Sequence, residues 1–159
     1  MESNLITAWR IVRARYAAAG LTGEGSRRAS GRWKHRGTAM VYTAECRSLA
    51  VLEMLVHLDE DEFLKHYRLI PVTFQQSLVR EMPVKDLPTN WNRYPAPDST
   101  KEIGDAWVSL MESAVLKAPS VIVSGENNYL LNPQHADFHK IQIGTPQPFR
   151  FDRRLRRDT

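Results

Sequence analysis

The run from Cys46 to His57 reads as a helix with a glutamate on its apolar side, and that carboxylate constrains how the chain can fold. At about 100° per residue, with Leu49 at 0°, Leu52 falls near 300°, Val56 near 340° and Glu53 near 40°. Glu53 therefore points with the core face. A carboxylate withdrawn from water costs several kcal/mol unless something pairs with it or uses it. Two candidates lie close by in sequence. Arg32 sits between Gly31 and Trp33, and Tyr42 lies in the run Met40–Ala44, which alternates as a strand with Met40, Tyr42 and Ala44 on one face.

The rest of the chain supplies several strands and one further substantial helix. Leu5–Val12 reads as an opening strand with Trp9 in the core. Gly20–Gly37 is a loop holding five of the eight glycines, so it is either the lip of a ligand site or a long flexible connection. Lys65–Phe74 is a second strand, with Arg68, Ile70, Val72 and Phe74 on one face. Gln75–Asp98 contains Pro83, Pro88, Pro95 and Pro97 and has no clear period; it reads as a long excursion with a short strand or turn near Met82–Leu87. Ser99 followed three residues later by Glu102 is a capping-box pattern. It predicts a helix running to about Lys117, with Ile103, Ala106, Trp107, Leu110 and Ala114 as its apolar stripe. Ala118-Pro119 would end that helix.

Ser120–Ser124 then reads as a buried strand, with Ser120, Ile122 and Ser124 on one face. Gly125–Asn128 reads as a turn, and Asn132-Pro133 as the start of a brief helix. Phe138–Ile143 and Pro148–Asp152 complete the pattern as strands. Mixed strands with two substantial helices indicate an α+β fold. At 159 residues, 42% of them apolar, residues 1–159 are expected to form one domain with a sizeable core.

Composition narrows the function. Cys46 is the only cysteine, which precludes an internal disulfide and fits a reducing compartment. No apolar run approaches the roughly 20 residues needed to span a bilayer. Met1–Leu5 lacks the basic and apolar regions of a signal peptide, so a cytoplasmic location and no membrane contact are expected. The net charge of +4 is unevenly placed. Arg27, Arg28, Arg32, Lys34 and Arg36 form one basic cluster, and Arg150, Arg153, Arg154, Arg156 and Arg157 form a second. Asp59–Glu62 is a compact acidic run. Each is most simply a solvated surface; alternatively the first is an anion site for phosphates and the second a partner-binding tail.

No dinucleotide-binding glycine pattern, phosphate-binding loop or paired-cysteine motif is present. His135 and His139 are four apart but lack a third ligand at a recognised spacing, so no metal is expected. His57 suits a helix C-terminus as a structural cation. Glu53 could simply pair with an arginine, and a serine such as Ser120 at the start of a buried strand commonly bonds to backbone.

Several short motifs taken together resemble the RES-domain family of toxin–antitoxin toxins. They are Gly31-Arg32-Trp33, Val41-Tyr42-Thr43, Ser48-Leu49-Ala50 with Leu52-Glu53 and Leu55-Val56-His57-Leu58. Gly104-Asp105-Ala106-Trp107, Pro119-Ser120 and Asn128-Tyr129-Leu130-Leu131-Asn132-Pro133, with His135 and Asp137, follow in family order. The family's named arginine, glutamate and serine map to Arg32, Glu53 and Ser120, with Ser124 a second candidate for the serine. Lys34 and Ala136 depart from the family pattern, where asparagine and proline are more usual.

The resemblance implies a fold similar to ADP-ribosyltransferases and an enzyme that consumes NAD+ by cleaving the nicotinamide–ribose bond, passing ADP-ribose to water or phosphate. ADP-ribosylation of a protein is the alternative. It also implies an antitoxin with an Xre-like helix-turn-helix region, a hetero-oligomer with that antitoxin, and DNA contact only through it. Nicotinamide leaves a pyridinium as a neutral molecule, so one carboxylate suffices where ordinary glycosidases need two. Glu53 would stabilise the oxocarbenium-like centre. Arg32 would clamp the pyrophosphate, and Tyr42 would stack on nicotinamide or ribose. Ser120 would hydrogen-bond the ligand, and Asn128 would shape the pocket. A nucleic-acid-binding or RNA-cleaving toxin ranks below these, because the basic residues are not interleaved with aromatic stacking platforms.

Overall fold

A computed structural model of the chain describes residues 4–19 and 21–156. The readings that touch Met1–Ser3, Gly20 and Arg157 therefore fall outside the described residues. Eight strands form one curled sheet: β1 (Leu5–Arg13), β2 (Val41–Ala44), β3 (Tyr67–Gln75), β4 (Val79–Glu81), β5 (Val115–Pro119), β6 (Asn127–Leu131), β7 (Gln142–Ile143) and β8 (Gln147–Phe149). Their order is β4-β5-β6-β2-β1-β3-β7, with β8 also paired to β3. Every pairing is antiparallel except β4 with β5. Three helices pack on this sheet: α1 (Arg47–Leu55), the single turn α2 (Glu60–Phe63) and α3 (Asp98–Ser109). The class is α+β, as the sequence indicates. Among the described residues no helix is long and apolar enough to cross a membrane.

The core is divided into three clusters. Val41, Ile70, Val72, Phe74, Val115 and Leu131 fill the first. Leu49 and Ala50 of α1 meet Tyr67, Leu69 and Phe151 in the second. Trp33, Met40, Trp107, Leu116 and Leu130 make the third. The long strand β3 is buried on both faces, because the clusters lie on opposite sides of the sheet. Trp9, expected in the core, is only half-buried; Ala8, Ile11 and Val12 carry the burial of β1, and the Arg47 guanidinium lies 4.2 Å above the indole centre.

Several elements differ from the sequence expectation. Leu52 and Val56 are exposed, at 39% and 55%. The buried side of α1 is instead made by Cys46, Leu49, Ala50 and Met54, at about 60°, 0°, 100° and 140° on the same wheel. Glu53, at about 40°, still lies within it.

The capping box does not form. Pro97 occupies the N-cap of α3, Ser99 Oγ bonds Asn90 Oδ1 instead, and the helix stops at Ser109 rather than near Lys117. Met111 just beyond it takes φ 51°, a left-handed conformation that ends a helix. Ala114, assigned to the helical stripe, therefore leads into β5.

The buried strand there is Val115–Pro119, and residues 120–124 form a bend and turn with Ile122 and Ser124 exposed. Asn127 and Asn128, expected in the turn, already belong to β6. After β6, Asn132 makes a turn rather than a helix start: its Oδ1 accepts from Gln134 N, and its Nδ2 donates to Val108 O at the end of α3. Phe138–Lys140 is a 3-10 turn before the two-residue β7, and β8 is shorter than the expected Pro148–Asp152. The excursion 75–98 holds β4, which ends where the short strand was expected to begin.

Candidate functional site

Two chain segments far apart in sequence leave the same end of β6. Ala44 of β2 and Ala118 of β5 flank Asn128 on either side of β6 within the sheet. Beyond that register, Glu45 N donates to Asn127 O at 3.1 Å, and Ser120 N donates to Glu126 O at 2.9 Å. The first bond launches α1 and the second fixes the residue after β5. Cys46 caps α1, its Sγ accepting from Leu49 N and lying 3.4 Å from Glu126 Oε1. Two turns along α1, Glu53 comes back to Ser120.

The Ser120 hydroxyl donates to Glu53 Oε1 at 3.1 Å. Its oxygen accepts from Ile122 N and Val123 N at 3.1 and 3.2 Å. Ser120 is 2% exposed, and each of its hydrogen-bonding positions is engaged. It orients the carboxylate and fixes the 120–123 bend at the same time. Ser124 is exposed on the following turn, so Ser120 is the serine that meets Glu53.

Arg32 approaches from the long loop. Its Nη1 donates to Trp91 O and Arg93 O, both at 2.9 Å, and the side chain is half-buried. Burial lowers the guanidinium's pKa, and the charge of Glu53 works against that shift. Arg32 thus braces the 91–93 segment. That segment, through Trp91 and Asn92, lines a cleft of about 400 Å³ together with Met82, Ser120 and Glu126; Arg32, Tyr42 and Glu53 are not among its lining residues.

Tyr42 underpins the arginine's loop. Its hydroxyl accepts from Trp33 N at 3.2 Å. A Cβ at residue 31 would lie 2.6 Å from the same hydroxyl, which is why glycine precedes Arg32. Burial pushes the Tyr42 phenol well above its ordinary range, so the hydroxyl stays protonated. Asn128 is buried and donates to Thr43 O at 3.3 Å, tying β6 to β2 beneath the site. Arg32, Tyr42, Glu53, Ser120 and Asn128 are thus borne on neighbouring elements around one end of the central strands.

Lys34 does not join the basic surface cluster. It is 2% exposed, and its Nζ donates to Ser26 O and Ala29 O, closing the loop on itself. His135 and His139 do not share a helix face, because residues 133–137 are turn. His135 Nε2 donates to Met111 O while Nδ1 accepts from Asp137 N, and His139 bonds Ala136 O. Among the described C-terminal arginines, Arg154 pairs with Asp152, Arg156 with Glu60 of α2, and Arg150 with His66. Arg10 escaped the sequence reading. It donates to Tyr42 O at 2.8 Å from the middle of β1, and burial pushes its pKa down to about 10. An arginine between Ala8 and Val12 in an otherwise apolar strand was the signal.

This arrangement is that of an α+β protein with an arginine, a glutamate and a serine gathered at one sheet end. The family model described as "RES domain" matches residues 7–152, and the chain belongs to the RES-domain family. It is 40% identical over 149 residues to "Toxin Res" of Yersinia enterocolitica, covering 93% of this chain and 98% of that one. It is 34% identical over 152 residues to "Prs ADP-ribosylating toxin" of a Sphingobium species, covering 92% and 94%. Among solved structures, the M. tuberculosis MbcT–MbcA toxin–antitoxin complex contains a chain with a TM-score of 0.76, at 18% identity, over 92% of this chain and 85% of that one. At that identity the likeness is one of fold.

Proposed function

We propose that this protein is the toxin of a toxin–antitoxin pair and consumes NAD+ by breaking the nicotinamide–ribose bond. The observation that carries this is the Glu53 carboxylate held by Ser120 at 3.1 Å where α1 and the bend after β5 leave the end of β6. The names of the relatives support it: three are called "Toxin Res" and one an ADP-ribosylating toxin, a chemistry that starts from the same bond.

In the proposed reaction the C1′–N bond breaks and its electron pair leaves with the nicotinamide nitrogen, which becomes neutral. Positive charge develops on the ribose, and Glu53 stabilises it. Ser120 keeps the carboxylate aimed. Arg32, whose Nη1 is occupied by two carbonyls, offers its remaining N–H groups to the pyrophosphate. Tyr42 packs against the ribose or nicotinamide ring. Either a water oxygen attacks C1′ and releases its proton to solvent, or an unprotonated phosphate oxygen attacks C1′ with no proton to lose. Transfer to a protein side chain is the second reading, favoured by the name of the Sphingobium relative.

An antitoxin would neutralise the enzyme, and the fold neighbour was solved in a toxin–antitoxin complex. The proposed partner carries an Xre-like helix-turn-helix region, contacts DNA for the pair, and docks with its acidic groups on the basic loop near Arg27 and Arg28. The proposed location is cytoplasmic, where the lone Cys46 stays reduced.

Incubating the pure protein with NAD+, with and without phosphate, and following all products tests the proposal. Free nicotinamide with an equal amount of ADP-ribose, or of its phosphorylated form when phosphate is present, is expected. Intact NAD+ would overturn it. ADP-ribose found only on protein would establish the second reading.

A further inference from the structure

Gly104-Asp105-Ala106-Trp107 takes no part in the site described above, yet α3 presents this segment directly to the loop that carries Arg32. Thr100 is fully buried on the same side of the helix, and its Oγ1 lies 2.6 Å from the Arg32 carbonyl oxygen. One turn on, a Cβ at Gly104 would fall 1.6 Å from the Trp33 carbonyl oxygen, so the helix backbone lies flat against the loop backbone. Asp105 continues the seam. Its Oδ1 accepts from His35 N at 3.0 Å and from Thr38 Oγ1 at 2.9 Å, and its Oδ2 meets His35 Nδ1 at 2.7 Å. The Trp33 side chain is buried against Trp107 of the same helix. Residues 32, 33 and 35 therefore each meet α3: the Arg32 carbonyl and the His35 amide through hydrogen bonds, the Trp33 carbonyl by close packing on Gly104.

We infer that Thr100, Gly104 and Asp105 of α3 are positioning residues that set Arg32 for anion binding by gripping the backbone at its carbonyl and just after it. The Arg32 side chain itself hydrogen-bonds the 91–93 segment, through Trp91 O and Arg93 O. Within the loop, Gly31 and Lys34 pair backbone to backbone across Arg32 and Trp33, and the Lys34 side chain closes the 26–29 part; the contacts with α3 fix where that turn sits. Preorganisation of a binding group appears as affinity rather than as chemistry, so these residues act on the Michaelis constant and not on the catalytic step.

This rests on the NAD+-consuming reading for its kinetic arm only. Thr100→Val keeps the shape and removes the hydroxyl. The expected result is a rise in KM for NAD+ of about fivefold, with kcat within twofold of wild type, and recovery by Thr100→Ser. In parallel, the Arg32 Nε–Hε resonance is followed by NMR; it should shift or broaden in Thr100→Val and return in Thr100→Ser. If Thr100→Val unfolds the protein, Asp105→Asn, which keeps a carbonyl for His35 N, serves for both measurements with a smaller shift in the same direction. An unchanged KM, an equal loss in kcat, or failure of serine to rescue overturns the inference. If wild type leaves NAD+ intact, the functional proposal falls. The NMR arm still decides the positioning claim: an unmoved Arg32 resonance in a folded variant overturns it, and a moved one sustains it.

Discussion

The two charged halves of the site are held by different means. Glu53 and Ser120 hang from the sheet. Both α1 and the bend after β5 leave the end of β6 through backbone bonds, at 3.1 and 2.9 Å, and the two side chains meet where the elements cross. Arg32 hangs from nothing in the sheet's ladder. It lies on a loop whose place comes from side chain–backbone bonds to α3 and from the Tyr42 hydroxyl. A sheet end tolerates surface change, because its bonds are many and mutually supporting. A seam of single bonds does not. The carboxylate side should therefore resist substitution structurally and fail chemically, and the arginine side should fail in binding.

Gly104→Ala should show the largest effect on stability. The added methyl meets the Trp33 carbonyl, and backbone cannot yield as a flexible side chain would. A loss on the order of 3 kcal/mol in urea unfolding is expected, as for severe overpacking. A loss below about 0.5 kcal/mol, the scale of an ordinary surface substitution, would mean the seam opens without cost.

Arg32→Lys comes next. Lysine cannot hold the Trp91 and Arg93 carbonyls while also presenting a planar fork. KM for NAD+ should rise on the order of tenfold. An unchanged KM would move the anion site elsewhere, with Arg27 and Arg28 the first alternatives. Ser120→Ala should lower kcat by about fivefold with little change in KM, since it unfastens Glu53 and strands the amides of Ile122 and Val123. A KM effect equal to the kcat effect would place the Ser120 hydroxyl on the substrate instead.

The smallest effect concerns His35, whose ring faces Asp105 and Asp98. Its hydrogen bond to Asp105 raises its pKa, against a smaller opposing effect of desolvation. At Asp105 burial favours a higher value, but the bonds from His35 and Thr38 outweigh it and the pKa falls. A raised folded pKa means the folded state holds the proton more tightly. The stabilisation is therefore complete below about pH 6.5 and is lost as pH rises through the folded value. Relative to His35→Gln, wild type should be more stable near pH 6, and the gap should close toward alkaline pH. A gap that widens with pH would reverse the assignment of charge.

The sequence revealed the parts whose chemistry is local. Strands β1, β2 and β3 follow from alternation, and Glu53 falls inside the buried arc of α1 although Leu52 and Val56 do not. Those two apolar residues misled the reading because the helix packs on one side only, leaving them at the surface. What remained illegible depends on tertiary contacts. Val115–Lys117 reads as the last turn of the helix because Leu110 and Ala114 continue the stripe of α3, and only the turn at Met111 separates them. Lys34 looked like a surface charge because nothing local says that the Ser26 and Ala29 carbonyls surround it. The triad of Arg32, Glu53 and Ser120 came from motif likeness, whereas the seam on α3 required coordinates. Gly104 and Asp105 were visible as a motif, but the backbone carbonyl that makes the glycine obligatory lies 71 residues away.

The central claim is that the charge of Glu53 breaks the glycosidic bond, and the Glu53→Gln variant tests it directly. The amide keeps the size and an oxygen that still accepts from Ser120, so the melting temperature should stay close to wild type. NAD+ consumption should fall by about 10²-fold or more, the scale set by removing a preorganised electrostatic group. A folded Glu53→Gln protein that consumes NAD+ at near wild-type rate would contradict the account.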